Sequence, residues 1–345
     1  MVRTAGILAA IVIGLLIPSG AQGQQTGFAT VEAYTHLPVG IRAIGLKGAF
    51  VAVANDPATL WHNPSGMAQL ARYPQISVMT TAMSFGRMFN ALTYAQQVVP
   101  SFGIGAGVIH YRSGRFTARQ RNGQVLGEYT NDQFLAQAGV AYQIAAVTLG
   151  VSGKYLLNLL RGSDIRGDGY AFDVGMLIRA PFFAVGLAAR NVLGTMIWNN
   201  ADRLKETLRY SIHAGVAVEI PFRMKTKVIR VGTGAKKRVQ QRSRQYALLT
   251  MEAQWVQQEA HLGVLFGAEI VPVEELQFRL GFPIVQPTLD GLRYFPLADF
   301  ALGLSFQPKI PDLPFFLQID YAVSQDYITT ASRLNHHFGL TLLWW

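Results

Sequence analysis

Apolar and polar residues alternate with a period of two along most of the chain. Val147, Leu149, Val151 and Tyr155 fall on one face of an extended segment, and Thr148, Gly150, Ser152 and Lys154 on the other. Tyr170, Phe172, Val174, Met176 and Ile178 alternate with Ala171, Asp173, Gly175 and Arg179, interrupted only by Leu177. Tyr210, Ile212, Ala214, Val216, Val218 and Ile220 alternate with Ser211, His213, Gly215, Ala217 and Glu219. The pattern returns in 276–282, 300–307 and 315–321. This is the period of a two-faced strand. Each segment runs to about ten residues, the length a tilted strand needs to cross the ~25 Å apolar band of an outer membrane. Strands of a soluble sandwich are shorter, about five or six residues.

The spacing predicts strands at 74–83, 89–98, 103–112, 133–142, 146–156, 169–179, 182–192, 208–220, 246–256, 261–270, 275–284, 297–307, 314–323 and 336–345. That count is even, as bacterial single-chain barrels require. Links at 100–101, 143–145, 180–181 and 271–274 are short and alternate with longer ones at 113–132, 157–168, 193–207, 285–296 and 324–335. Short periplasmic turns and long external loops have that asymmetry. The expected fold class is all-β, a transmembrane antiparallel β-barrel of about 14 strands with a short N-terminal hatch.

Composition supports a membrane protein. Half of the 345 residues are hydrophobic and 14% are charged, apolar for a soluble chain. Yet beyond residue 21 no apolar run reaches the roughly 20 residues of a spanning helix. A closed sheet is the other structure that satisfies its own backbone in lipid. Arg3, the apolar stretch 5–17 and Ser19-Gly20-Ala21 form a signal peptide. The expected organisation is therefore a signal peptide over 1–21, a hatch over 22–73 and a barrel over 74–345, placed in the bacterial outer membrane. The chain has no cysteine, which excludes disulfides and thiolate chemistry.

The net charge of +10 is local. Arg223, Lys225, Lys227, Arg230, Lys236, Lys237, Arg238, Arg242 and Arg244 sit in 222–244 with no acid among them; together with Arg3 they account for the whole excess. Basicity thus belongs to one connection on the side of the short turns, expected in the periplasm as an extended hairpin or a solvated loop, and nucleic acid is not an expected partner. That connection suits an acidic partner or anionic headgroups.

Before the first strand the chain changes character. Asp56-Pro57 is a helix start, and Asn63-Pro64 an end, so a short helix is expected around 57–62. The surrounding block, with Gly40, Arg42, Ala43, Gly45, Gly48, Ala49, Phe50 and Ala52 followed by Asn63, Pro64, Gly66 and Ala68, resembles the PorV/PorQ family of outer-membrane proteins, related to FadL-type fatty-acid channels. Lys47 stands where that family usually has glycine, Trp61-His62 replaces its Tyr-Trp pair, and Ser65 replaces alanine. The resemblance implies a hatch inside the barrel, with Arg42, Gly45, Gly48, Phe50, Asp56, Asn63, Pro64 and Gly66 as its motif. Wall glycines at 150, 175, 215, 263, 267, 281 and 303 would leave room for it. At the C-terminus, Gly339, Leu342, Trp344 and the additional Trp345 resemble the signal read by barrel-assembly machinery, an expected partner along with outer-membrane lipid.

No catalytic arrangement stands out. Gly232-Thr233-Gly234-Ala235-Lys236 lacks phosphate-loop spacing, and the adjacent His336 and His337 face opposite sides of a strand. No enzyme activity, metal or cofactor is expected. Lys154, Asp173, Arg179, His213, Glu219, Glu252, Glu269, Arg279 and Asp320 are the lumen candidates, read as an internal polar network or as the lining of a path. Three functions remain open: transport of hydrophobic small molecules such as long-chain fatty acids, a component of type IX secretion for export or surface attachment, and a passive porin. A hatch argues against the last.

Overall fold

In the computed structural model, residues 32–200, 203–230, 238–259, 261–288, 291–294, 299–310, 315–326 and 333–344 are described. The expected signal peptide, Lys236, Lys237 and Trp345 lie outside them. The strands are β1 (Gln75–Ala82), β2 (Met88–Val99), β3 (Phe102–Arg112), β4 (Phe116–Arg119), β5 (Val125–Ile144) and β6 (Val147–Arg161). They continue as β7 (Arg166–Arg179), β8 (Phe183–Trp198), β9 (Lys205–Thr207), β10 (Ser211–Arg230), β11 (Arg238–Val256) and β12 (Gly263–Val273). The last are β13 (Leu276–Thr288), β14 (Gly291–Tyr294), β15 (Ala301–Phe306), β16 (Phe315–Asp326) and β17 (Arg333–Trp344).

Three of these are short arms: β4 pairs with β5, β9 with β8 and β14 with β13. The other 14 pair antiparallel, each with the next, and β17 closes on β1 from Gln75↔Leu343 to Ala82↔His336. Closure leaves no sheet edge in lipid, where an unpaired backbone group costs several kcal/mol. Side chains are inverted relative to a soluble protein. On β6, Leu149, Val151 and Tyr155 are about half exposed, whereas Thr148, Ser152 and Lys154 are buried. Leu177, the apolar interruption of a polar face, is buried in the apolar core.

Every expected strand has an observed counterpart, but several run longer. The link expected at 113–132 is largely β4 and the first part of β5, because cross-strand pairing continues past the barrel rim. The basic connection is likewise a paired hairpin, held from Pro221↔Tyr246 to Arg230↔Arg238 with a bulge between Pro221 and Arg223.

Residues 32–74 lie inside the barrel. They contain α1 (Ile41–Gly45), α2 (Thr59–His62) and 3-10 turns at Ala33–His36 and Pro64–Gln69. The helix expected around 57–62 starts later, at Thr59. Asp56 Oδ1 accepts the Ala58 amide at 2.9 Å, so 56–58 form a side-chain-capped turn that leads into it. Asn63 ends α2 in extended geometry and accepts the Ser65 amide, starting the next turn at Pro64.

Glycines on the wall make this fit possible. A Cβ at Gly150 would lie 2.3 Å from Ser65 N, and one at Gly186 would lie 2.1 Å from Val51 O. Gly175, Gly215, Gly267, Gly281 and Gly303 also face the plug, whereas Gly263 faces the Gln254 side chain instead.

Candidate functional site

The plug is held to the wall by buried polar groups projecting from the inward parity of the strands. Arg42 on α1 donates from Nε and Nη2 to the two carboxylate oxygens of Glu269 on β12, at 2.8 and 2.7 Å. Arg42 Nη1 donates to Asn55 Oδ1 at 2.7 Å. Arg279 on β13 donates to the same Glu269 at 2.6 Å and reaches Ser305 and Gln277, and Ser305 in turn donates to Asp320. Two guanidinium groups thus share one carboxylate, and all three are buried. Burying such charges is tolerable only when the hydrogen bonds are complete. Here they join α1 to β12, β13, β15 and β16.

A second anchor holds the stretch after α1. Glu252 Oε2 on β11 accepts the amides of Phe50 and Val51, each at 2.8 Å, and its Oε1 accepts from His213 Nδ1 at 2.8 Å. Thr250 Oγ1 donates to Ala49 O at 3.0 Å. From the other side, Asn63 Nδ2 donates to Val51 O at 2.7 Å and Met176 O at 3.1 Å. Of the expected plug motif, Phe50 and Asn63 converge here: Asn63 holds the Val51 carbonyl, and Glu252 on the wall holds the Phe50 and Val51 amides. Gly66 is required here, since a Cβ would lie 2.0 Å from Thr59 Oγ1.

A third anchor uses an irregularity of β8. The β7–β8 register shifts between Tyr170 and Val174, where Asn191 and Leu193 adopt φ of 58° and 54°. The bulge turns Asn191 inward. Its amide donates to Asp173 Oδ1 at 2.8 Å, its Oδ1 accepts from Lys154 at 2.8 Å, and its Nδ2 donates to Thr35 Oγ1 at 3.0 Å. Lys154 and Asp173 also pair at 2.7 Å.

Between these anchors lie two lumen cavities. Toward the long-link end is one of about 210 Å3, lined by plug residues His36, Pro38, Lys47, Gly48 and His62 and by Arg190, His213, Glu252, Gln254, Leu265, Pro283 and Val285 of the wall. Toward the short-turn end is a crevice of about 30 Å3 beside Arg42, Ala52, Arg179, Glu219 and Tyr246. The two meet β11 on either side of Thr250. The stretch Ala49–Val51, clamped by Thr250, Glu252 and Asn63, is the partition. A third concavity, of about 700 Å3, lies on the barrel exterior between Leu92, Val108, Ala138, Gly153 and Phe172 and is almost wholly apolar.

In the outer cavity the plug histidines are neutral at physiological pH. Burial holds the His36 imidazole down to about 3 and that of His62 down to about 4, with the Arg190 charge adding to both effects. His62 Nε2 donates to Val39 O at 2.9 Å. Lys47 pairs with Asp299. Burial raises the Asp299 carboxyl, which Lys47 opposes.

Of the lumen candidates, Lys154, Asp173, His213, Glu252, Glu269, Arg279 and Asp320 are buried in these networks, while Arg179 and Glu219 are half-buried at the inner crevice. Side chains of the basic residues Arg223 to Arg244 are outside the description. Gly339 faces Ile41 of the plug, Leu342 pairs with Ile76 and Leu317, and half-exposed Trp344 packs 5.8 Å from Phe315. Sequence reasoning missed Arg190, Asn191, Thr250, Asp299 and Tyr246. Arg190 was within reach, because it ends the small-residue parity Ala184, Gly186 and Ala188 on β8. Asn191 was not, because only the bulge turns it inward. Among the described residues no group of three or more His, Asp or Glu side chains is placed to hold a metal.

No protein-family model matches the chain, and no curated protein is similar to it. Solved structures are. The Ralstonia pickettii toluene transporter TbuX aligns with a TM-score of 0.56 at 12% identity, over 89% of this chain and 98% of that one. A Pseudomonas aeruginosa FadL homologue gives 0.53 at 11% over 89% and 98%. The CymD monoaromatic hydrocarbon channel gives 0.56 at 10% over 89% and 97%. Identities this low establish the fold alone and do not single out the PorV/PorQ branch. The protein is an outer-membrane, 14-strand antiparallel β-barrel that resembles the FadL-type transporters in fold.

Proposed function

We propose that this protein is a gated outer-membrane channel for small hydrophobic molecules. The observation that carries the reading is the Ala49–Val51 partition, which divides a filled lumen into an outer cavity and an inner crevice. A filled lumen does not suit a passive porin, whereas a displaceable segment inside a closed barrel suits selective passage. The toluene transporters TbuX and TodX and the CymD monoaromatic hydrocarbon channel share this fold. Reconstitution into liposomes and measurement of toluene uptake tests the proposal: uptake above that of empty liposomes is expected, and equal uptake would remove it.

A second reading, a platform for type IX secretion, has one observation in its favour. The β10–β11 hairpin outruns its neighbours: β8 pairs with β10 only as far as Val218↔Phe183, and β12 pairs with β11 only as far as Tyr246↔Val271. The paired backbone of 222–230 and 238–245 therefore runs beyond the neighbouring strands on the short-turn side, and an acidic partner suits the charge of this stretch. Replacing 222–244 by a tight turn discriminates the readings. Lost surface proteins with unchanged uptake would favour the platform; the reverse would favour the channel.

A further inference from the structure

The exterior groove lies where the lipid-facing wall loses its side chains. Ala106 on β3, Ala138 on β5 and Gly153 on β6 pair side by side, and Tyr94 and Phe172 close the row at its two ends. All five have outward parity, as do the half-exposed Val108, Val140 and Tyr155 around them. A Cβ at Gly153 would meet nothing closer than the Phe172 ring at 3.8 Å, so this glycine leaves space on the outside and none for the plug. The ladders behind the groove are unbroken, from Phe102↔Tyr142 to Arg112↔Asp132 and from Thr130↔Arg161 to Ile144↔Val147. The groove is therefore a dent of about 700 Å3 in a closed wall, open to lipid alone. The same three strands carry a cationic cluster at their long-link ends. Asp132 on β5 is buried and meets Arg112 Nε of β3 at 3.2 Å, Arg161 Nε of β6 at 2.9 Å and His110 Nε2 at 3.2 Å. Two guanidinium groups on one carboxylate leave a net positive charge, and their side chains are 52% and 59% exposed. Each guanidinium has five donors, so both keep some for a second anion. Neighbouring acids do not cancel the excess. Glu128 pairs with Arg115 and Asp168 with Arg166, and 110–132 together with 155–172 hold six arginines against four acids.

We infer that this face binds one phosphate-bearing lipid of the outer leaflet, with a phosphate on Arg112 and Arg161 and an acyl chain in the groove beside Gly153. The inference is independent of the channel reading, because the groove does not enter the lumen. Three features select the occupant. Long links face outward in such barrels, which puts the cluster at the outer leaflet, and paired arginines match the fork geometry of a phosphate. The spacing also fits. A run of six residues, as from Ala106 to Arg112, at about 3.3 Å each and tilted 35–45°, descends roughly 15 Å. That is half the ~30 Å hydrocarbon thickness, the reach of one leaflet's chains. Charge disfavours a second copy of this chain, since a two-fold interface sets the same patch against itself and would bring the two arginine clusters together.

Native mass spectrometry of the full chain, released from detergent micelles, tests this with lipid A carrying both phosphates and with the same lipid A after removal of its phosphates. One phosphorylated lipid per chain is expected, with the dephosphorylated form held far more weakly. The double variant Arg112→Gln, Arg161→Gln is expected to weaken the phosphorylated lipid on the order of 10- to 30-fold, the range for two basic residues at an anionic lipid surface. Gly153→Leu fills the groove without a clash and is expected to weaken it by more than about tenfold, the loss of two or more buried methylenes. Equal binding of the two lipid forms would overturn the site, as would unchanged binding in either variant. A dimer that persists with lipid present and is lost in Gly153→Leu would give the groove to a second copy and overturn it too. If the double variant does not fold, the two lipid forms on the wild-type chain still decide the role of charge, and Gly153→Leu that of the groove. Toluene uptake bears on the channel reading alone.

Discussion

Arg42 and Glu269, 227 residues apart in sequence, meet through two parallel hydrogen bonds of 2.8 and 2.7 Å inside the barrel. The pair joins the plug to β12, and Arg279 on β13 completes the carboxylate. Arg42→Ala leaves Glu269 with one cation and opens space beside Asn55. Removing one partner of a buried charged pair costs about 3–5 kcal/mol, so urea denaturation should show a loss of that order. Arg42→Lys should recover only part of it, because an ammonium cannot make the fork. Unchanged stability in Arg42→Ala would show that the pair is not an anchor.

Glu252 holds the partition. Glu252→Ala leaves the amides of Phe50 and Val51 without their acceptor, at about 1–3 kcal/mol for each buried donor. The two cavities should then communicate, and planar-bilayer recordings should show higher conductance than wild type. Wild-type conductance in this variant would mean that Ala49–Val51 is not the gate.

The plug fits because the wall lacks side chains where the two backbones touch. Gly186→Ala places a Cβ 2.1 Å from the Val51 carbonyl, and overpacking of this kind costs about 1–3 kcal/mol. The cost should fall on the plug, exposing the buried Arg42 and half-buried Lys47 to trypsin while the barrel stays folded. Gly263→Ala is the control. Its nearest neighbour is the flexible Gln254 side chain at 3.2 Å, and its trypsin pattern should match wild type.

Glu32 ties the start of the described plug to β5 and β6. Its Oε1 accepts from Asn158 at 2.7 Å and Gln133 at 3.3 Å, and its Oε2 is buried without a partner among the described residues. Burial raises its carboxyl from 4.5 to about 7, against the lowering effect of those hydrogen bonds. The folded state therefore binds more protons than the unfolded one between these values. The stabilisation is full below 4.5 and is lost as pH rises toward 7 and beyond. Hydrogen exchange at 32–36 should be slower at pH 5 than at pH 8, and Glu32→Gln should abolish the difference. Equal protection at both pH values in wild type would remove the prediction.

The barrel was legible because its rule is local. Leu149 and Val151 face lipid and Thr148 and Ser152 face inward by parity alone, and the number of such segments gave the strand count. The lengths were not legible, because strands such as β5 and β10 continue past the membrane band where pairing, not hydropathy, holds them. Inward-facing charges such as Glu252, Glu269 and Arg279 were legible by the same parity. Their partners were not: Glu252 binds the amides of Phe50 and Val51, whose donors carry no side-chain signature.

By itself, then, the sequence determined which residues face lipid and which face the lumen, since a strand's period of two fixes that residue by residue. Only the tertiary structure decided what occupies the lumen and what is left over in it. The plug's side-chain hydrogen bonds join positions up to 252 residues apart among the described residues, and the β8 bulge turns Asn191 inward beside the buried Arg190. Such pairings depend on how the closed barrel packs around its own N-terminal segment, and no local period encodes that.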